Sequence, residues 1–117
     1  MRKLKILIIG SAFGADLHAD AYNRIREKID IVGISGRDLD RVRAFAKRHG
    51  FTDYTAYDDY SRAIEECDCD LVDICVPNFL HHDVAIKALE RGRDIICEKP
   101  LTTTVEEAQD MIDTSER

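Results

Sequence analysis

Short apolar runs alternate with stretches of helical periodicity along the chain. The runs Leu4–Ile9, Ile29–Ser35 and Leu71–Val76 have the length and the Ile, Val and Leu content of strands that are buried on both faces. A polar run at Phe51–Thr55 predicts a short strand at a sheet edge, and Asp94–Cys97 predicts a fifth strand. The pattern therefore predicts five strands separated by helices.

Helical periodicity is clearest in the first interval between strands. Leu17, Ala21 and Ile25 recur every four positions between Asp16 and Lys28. In a helix these residues share one face, because positions four apart lie one turn from each other. We expect this face to pack against the sheet.

Capping residues mark the ends of the other helices. Asp38, Thr55 and Asn78 each precede a helical stretch, and their side chains can accept hydrogen bonds from its first amides. Thr104 opens a Thr-x-x-Glu capping box before the last helix, and Gly50 is placed to end the second. Each predicted strand is therefore followed by a helix.

Alternating strands and helices predict an α/β fold with a doubly wound parallel sheet of the Rossmann type and strand order 3-2-1-4-5. We expect one domain over residues 1–117, truncated before the sixth strand that completes such a sheet. The order brings the loops after strands 1 and 4 together, where these sheets bind ligands. The open edge of strand 5 predicts pairing with another chain, and hence a homo-oligomer.

Composition narrows the possible partners. The 117 residues are 44% hydrophobic and 34% charged, as in a soluble globular domain, and the formal charge of −6 argues against nucleic-acid binding. No apolar run reaches the length of a membrane span, which is roughly 18 residues. The four cysteines lack the spacing typical of zinc ligands, so we interpret them as reduced thiols in the core. We therefore expect a cytoplasmic protein without a metal.

The turn after the first strand carries a variant of the dinucleotide fingerprint Gly-x-Gly-x-x-Gly/Ala. Gly10, Ala12 and Ala15 occupy its three positions, so the second glycine is replaced. A turn of this kind lets backbone amides at a helix N-terminus approach a pyrophosphate. The alternative is a helix entry that merely requires small residues. We expect cofactor contacts from Gly10, Ala12, Phe13 and Gly14.

The end of the second strand bears on which cofactor binds. NAD-binding folds usually carry an acidic residue here that holds the adenosine ribose, but this chain has Gly36. Ser35 and Arg37 could instead bind a 2′-phosphate, which favours NADP over NAD. The alternatives are a solvated Arg37, and a ribose contact from Asp38 in addition to its capping role.

Two motifs make a family resemblance apparent. Residues 75–82 read Cys-Val-Pro-Asn-Phe-Leu-His-His, and residues 97–100 read Cys-Glu-Lys-Pro, at the ends of two neighbouring strands. Together they resemble the glucose–fructose oxidoreductase/inositol dehydrogenase family (Gfo/Idh/MocA), and the resemblance extends over essentially the whole chain. The resemblance implies that NAD or NADP binds in this domain, and that a larger C-terminal domain, absent from this sequence, makes most substrate contacts.

The resemblance also implies roles for particular residues. Val76, Pro77 and Asn78 match the loop that lines the ribose and pyrophosphate, and His81 matches a histidine near the nicotinamide. Its alternative role is a helix-start histidine that bonds to backbone. These positions belong to the cofactor site.

The resemblance also implies that the tripeptide Glu-Lys-Pro after the fifth strand takes part in catalysis. Glu98 corresponds to a contact of the nicotinamide ribose. Lys99 corresponds to the catalytic lysine that orients a small polar substrate and assists proton transfer from its hydroxyl. A cation placed there can stabilise a developing alkoxide.

The function that follows is the cofactor-binding half of an oxidoreductase. The intact enzyme would transfer hydride between the nicotinamide and a carbinol carbon of a sugar, polyol or related diol, and we expect the 117-residue chain alone to be inactive. The alternative is a non-catalytic nucleotide-binding regulatory or interaction module. A methyltransferase domain that binds S-adenosylmethionine is disfavoured, because it has no use for the Glu-Lys-Pro tripeptide.

Overall fold

The computed structural model describes residues 2–11, 13–97 and 105–116, within which strands and helices alternate. The strands are β1 (Leu4–Ile9), β2 (Ile29–Ser35), β3 (Thr55–Tyr57), β4 (Leu71–Ile74) and β5 (Asp94–Cys97). The helices are α1 (Phe13–Asn23), α2 (Leu39–His49), α3 (Tyr60–Glu66), α4 (His81–Glu90) and α5 (Val105–Ser115), with a 3₁₀ turn at Asn78–Leu80. Within these ranges no helix is long and apolar enough to cross a membrane.

The strands form one parallel sheet in the order β3-β2-β1-β4-β5, which confirms the predicted fold class and strand order. Ile9 at the end of β1 lies opposite Ser35 of β2 on one side and Ile74 of β4 on the other. The three central strands therefore end at the same level. Their following loops meet at one edge of the sheet, as a doubly wound fold requires.

Alternate residues of β1 belong to two separate hydrophobic clusters, one on each face of the sheet. Ile6 and Ile8 pack with residues of α1 and α2, whereas Leu7 and Ile9 pack with residues of α3 and α4. All four side chains are buried. The continuous apolar run in the sequence reflects this burial on both faces.

The inward face of α1 differs from the prediction. Leu17 and Ile25, expected to face the sheet, are 54% and 38% exposed, and the buried residues are Ala15, Ala19 and Tyr22. Small alanines allow the helix to lie close to the strands. Leu17 therefore lies on the outside of α1, and Ile25 lies beyond its end at Asn23, so the hydrophobic period did not predict the buried face of this helix.

The segment before α3 also corrects the prediction. The third strand is Thr55–Tyr57 rather than 51–55, and the cap of α3 is Asp59, whose carboxylate accepts a hydrogen bond from the Ser61 amide. The reason lies in how α2 ends. Gly50 adopts a left-handed conformation and the following amide, of residue 51, donates to the Ala46 carbonyl, so this stretch completes the helix end instead of extending the sheet.

The loop after β4 is longer than the sequence pattern indicated. β4 ends at Ile74, and the α-helical residues begin at His81 after the 3₁₀ turn, so Asn78 is not the direct cap of α4. The amide of Leu80 donates to the Pro77 carbonyl and closes this turn. Thr104, the predicted cap of the last helix, lies outside the described residues.

Candidate functional site

A cavity of about 580 Å³ opens at the edge of the sheet where β1, β2 and β4 end. The start of α3 forms another part of its wall. Six of the residues predicted from the sequence line it: Gly10, Ser35, Gly36, Arg37, Val76 and Pro77. Three separate segments of the sequence therefore converge on one cavity.

The other predicted site residues are placed as follows. Gly14 lies in α1, and a Cβ atom there would meet nothing within 4 Å. Phe13 and Asn78 belong to described elements, although their side chains are not described. Ala12, Glu98 and Lys99 lie outside the described residues.

Gly10, directly after β1, lies close to Cys75, directly after β4. Its φ is 114°, a conformation that residues with a side chain rarely adopt. A Cβ atom on Gly10 would overlap the carbonyl oxygen of Cys75 and lie 2.8 Å from its carbonyl carbon. The Gly10 amide donates to the Ser35 carbonyl at 2.7 Å, and the Cys75 amide donates to the Ile9 carbonyl at 2.8 Å. The turn therefore requires glycine and is fixed to both neighbouring strands.

Gly36 keeps the end of β2 close to α2. A Cβ atom there would lie 2.9 Å from a methyl carbon of Val42, and the Gly36 amide donates to the Tyr57 carbonyl at 3.0 Å. Ser35 beside it is 2% exposed. The position where NAD-binding folds usually carry an acidic residue thus has no carboxylate of its own.

Charged residues beyond those predicted from the sequence also line the cavity. Arg41, in the first turn of α2, joins Arg37, and Asp58 and Asp59 lie at the start of α3. The spacing of four between the two arginines was a usable signal, because such residues can lie near each other where a helix begins. Nothing in the sequence pattern indicated that α3 would approach the same cavity.

These groups give the cavity both cationic and anionic hydrogen-bonding partners. Two guanidinium groups can bind a phosphate with charge-assisted bonds, and carboxylates can accept hydrogen bonds from ribose hydroxyls. Asp59 already accepts from the Ser61 amide at 2.9 Å. Tyr60 donates to Asp83, and burial together with this carboxylate raises the pKa of Tyr60 to about 12, so it remains a neutral donor near neutral pH.

His81 is fully buried at the start of α4. Its Nε2 atom lies 2.9 Å from the Val76 carbonyl oxygen, and because a carbonyl only accepts, the imidazole donates this bond. The bond ties α4 to the loop that lines the cavity. The alternative considered above, a histidine that bonds to backbone, describes this contact.

The comparisons of this chain with a family profile and with known proteins agree with one another. A family profile described as "Oxidoreductase family, NAD-binding Rossmann fold" matches residues 4–117. D-glucoside 3-dehydrogenase of Escherichia coli is 31% identical, over 97% of this chain and 32% of its own length. Levoglucosan dehydrogenase of Pseudarthrobacter phenanthrenivorans is 34% identical, over 97% of this chain and 30% of its own length.

A solved structure of levoglucosan dehydrogenase, in complex with NADH and levoglucosan, superimposes on this chain with a TM-score of 0.90. The sequence identity is 32%, and the match covers 98% of this chain and 32% of that one. The chain thus spans about a third of the length of the relatives that it matches.

Proposed function

Because the chain belongs to the Gfo/Idh/MocA family of oxidoreductases, we propose that it forms the part of such an enzyme that binds NAD or NADP in the cavity beside Gly10. The observation that carries this proposal is the glycine turn at the ends of β1 and β4. A Cβ atom at Gly10 would fill the space between the two strands, and α1 begins three residues later. Amides at a helix N-terminus bind phosphate groups through hydrogen bonds and the helix dipole, so the turn suits a pyrophosphate.

In the whole protein we propose hydride transfer between the nicotinamide and a carbinol carbon of a sugar, polyol or related diol. A bound nicotinamide ring supplies the hydride acceptor or donor. The family resemblance supports Lys99 as the group that orients the substrate hydroxyl and takes part in its proton transfer, and Glu98 as a contact of the nicotinamide ribose. Relatives named as dehydrogenases of a glucoside, of levoglucosan and of inositol favour this substrate class over a non-catalytic module.

We further propose that NADP is preferred over NAD. Arg37 and Arg41 line the cavity near the place that lacks a carboxylate, so their guanidinium groups suit a 2′-phosphate, whereas Ser35 is too deeply buried to be a main contact. Asp58 and Asp59 on α3 offer the competing possibility, since carboxylates bind ribose hydroxyls instead. The affinity ratio of the two cofactors distinguishes these arrangements.

The open edge of β5 supports a proposal about assembly. Among the described strands β5 pairs with β4 alone, and Ile96 on it is 42% exposed. An unpaired strand edge can pair with a second copy, so we propose that the 117-residue chain forms a homo-oligomer. Light scattering that gives the mass of a monomer at high concentration would contradict the assembly.

Calorimetric titration of the chain with NAD, NADP and S-adenosylmethionine tests the proposed function. We expect heat of binding from both dinucleotides, larger affinity for NADP, and no binding of S-adenosylmethionine. Absence of binding by either dinucleotide at millimolar concentration would overturn the proposal. Binding of S-adenosylmethionine instead would assign the cavity to methyl transfer.

A further inference from the structure

A buried carboxylate lies in the middle of the sheet. Asp73 on β4 is the one acidic residue that is fully buried among the described residues. It accepts hydrogen bonds from His18 Nδ1 at 2.7 and 2.8 Å, from the Tyr22 hydroxyl at 2.5 Å and from Cys75 Sγ at 3.4 Å. The cost of burying a charge is therefore offset by several donors at one carboxylate.

The four side chains come from only two elements. His18 and Tyr22 are four residues apart on α1 and therefore lie on the same face of the helix. Asp73 and Cys75 are two residues apart and point to the same face of the sheet. The cluster thus joins one helix to one strand through specific, directional contacts.

A metal ion is a less suitable occupant of this cluster than the hydrogen bonds described. Donor atoms of His18, Asp73 and Cys75 all lie within 4.8 Å of one another. However, nitrogen and oxygen ligands of tetrahedral zinc are separated by about 3.3 Å, given bond lengths of roughly 2.0–2.1 Å. The 2.7 Å between His18 Nδ1 and Asp73 Oδ2 is the separation of a hydrogen bond.

Stability alone does not explain a carboxylate at this place. Replacing a buried charged or polar network with apolar side chains of similar volume is often neutral or stabilising. What such a network provides is a defined position, since hydrogen bonds have a narrow range of distance and angle. Burial and the charge of Asp73 raise the pKa of Tyr22, so its hydroxyl stays protonated and able to donate.

The cluster lies next to the turn at Gly10, where we propose that the cofactor binds. Cys75, whose Sγ atom contacts Asp73, is the residue whose carbonyl a Cβ atom on Gly10 would overlap. Cys75 also lines the cavity. On the helix side, α1 begins at Phe13 and runs as one continuous helix through His18 and Tyr22. The position of α1 against β4 thus determines where its first amides point.

We propose that Asp73 is a positioning residue, which fixes the rotation and height of α1 against β4 and so directs the amides of the first turn of α1 at the pyrophosphate. The proposal rests on the proposed function of the cavity. Asp73 itself is buried and is not among the residues that line the cavity. Its contribution is therefore to the affinity for the pyrophosphate group and not to the affinity for the adenosine.

The test uses the double variant Asp73→Val/Tyr22→Phe of the 117-residue chain. It removes the acceptor and the Tyr22 donor together and leaves the Tyr22 ring in place, so no buried hydroxyl is left without its acceptor. His18 also loses this acceptor, but its side chain is 19% exposed and keeps access to water. We expect the thermal midpoint of unfolding to change little, while the affinity for ADP-ribose falls about 10-fold. The affinity for 5′-AMP, which has no pyrophosphate, should fall less than about 2-fold.

Matched single variants keep the inference testable if the double variant does not fold. Tyr22→Phe keeps the ring and removes one donor, and Asp73→Asn retains an acceptor, so we expect smaller losses of ADP-ribose affinity from each. Equal losses for ADP-ribose and 5′-AMP, or an unchanged ADP-ribose affinity in folded variants, would overturn the inference. A wild-type chain that binds no dinucleotide would overturn the proposed function and this inference together, whereas retained binding in the variants overturns the inference alone.

Discussion

Strand β4 presents different chemistry to the helices on its two faces. On one face, Val72 and Ile74 pack with Val84 and neighbouring alanines of α4 in a hydrophobic cluster. On the other face, Asp73 accepts hydrogen bonds from His18 and Tyr22 of α1. Both faces are buried, so burial by itself does not distinguish them.

The difference between the two faces of β4 corresponds to the surroundings of the helices α1 and α4 that pack on them. α1 begins next to the cavity turn, so a small rotation of this helix changes the direction of its first amides. Apolar contacts stabilise without a strong directional preference, while hydrogen bonds to a fixed carboxylate favour one orientation. The comparison suggests that the α4 face stabilises the domain and the α1 face orients the site.

The largest effect is expected at the turn on the α1 side. Gly10→Ala should lower the unfolding free energy by about 3–5 kcal/mol and abolish dinucleotide binding, because it combines a positive φ with overlap of the Cys75 carbonyl. Gly14→Ala is the matched control for stability alone, because Gly14 is itself a predicted cofactor contact; its methyl group meets nothing within 4 Å, and helix propensity favours alanine by up to about 1 kcal/mol. Chemical denaturation and calorimetry measure both; a Gly10→Ala variant as stable as wild type would contradict the geometry of the turn.

The apolar face of β4 should respond in stability alone. Ile74→Ala leaves a cavity among residues of α4 and should lower the unfolding free energy by about 2–4 kcal/mol. Dinucleotide affinity, measured at a temperature where the variant is fully folded, should stay within about 2-fold of wild type. A loss of affinity as large as that of the Asp73 double variant would remove the distinction between the two faces.

Cofactor choice should depend on the arginines near α2. Arg37→Ala should weaken NADP binding by about 10-fold and leave NAD binding nearly unchanged, because the lost bond is to a charged phosphate. Arg41→Ala tests the second guanidinium in the same way. Calorimetry with both cofactors gives the ratio. A preference for NADP that survives both substitutions would refute this assignment.

The smallest effect is expected where α1 contacts α2. Asp16 binds Arg48 at 2.7 Å and His49 at 2.5 Å. Burial raises the pKa of the Asp16 carboxyl, but these hydrogen bonds outweigh it and hold the pKa below the usual 3.8. A lowered pKa means that the carboxylate stabilises the fold above about pH 4, and that this contribution is lost as the pH falls through the folded-state pKa.

Asp16→Asn should accordingly lower the unfolding free energy at neutral pH by about 0.5–1 kcal/mol, a small amount because the pair is partly exposed. The difference between variant and wild type should shrink as the pH is lowered below 4. Denaturation curves at several pH values measure it, with Glu27→Gln, an exposed carboxylate outside this network, as the control. A difference that grows toward acid pH would contradict the sign of the pKa shift.

Much of the fold followed from local signals in the sequence. The apolar run Leu4–Ile9 predicted β1 with its observed bounds, because a strand that is buried on both faces has few polar positions. Gly10 at its end predicted the turn, because few other residues tolerate its conformation. The strand order followed from the alternation of strands and helices and from the handedness of crossovers.

The orientation of the helices and the convergence of separate segments on the cavity were harder to predict from the sequence. The hydrophobic period indicated the face with Leu17 and Ile25, whereas the structure buries alanines and Tyr22 and partly buries His18, which binds Asp73. Hydrophobic periodicity depends on apolar residues alone. It therefore does not predict the burial of a polar side chain whose partner lies far along the chain. The same limit applies to Arg41 and Asp59, whose place in the cavity depends on how separate helices pack.

The sequence by itself determined which segments become strands, where the glycine turn lies, and to which family the chain belongs, because propensity, burial period and motif spacing are properties of neighbouring residues. Tertiary structure alone decided that Asp73 meets His18 and Tyr22, and that α3 closes one wall of the cavity. Those contacts join residues more than 50 positions apart. Their formation depends on packing distances that no local pattern encodes.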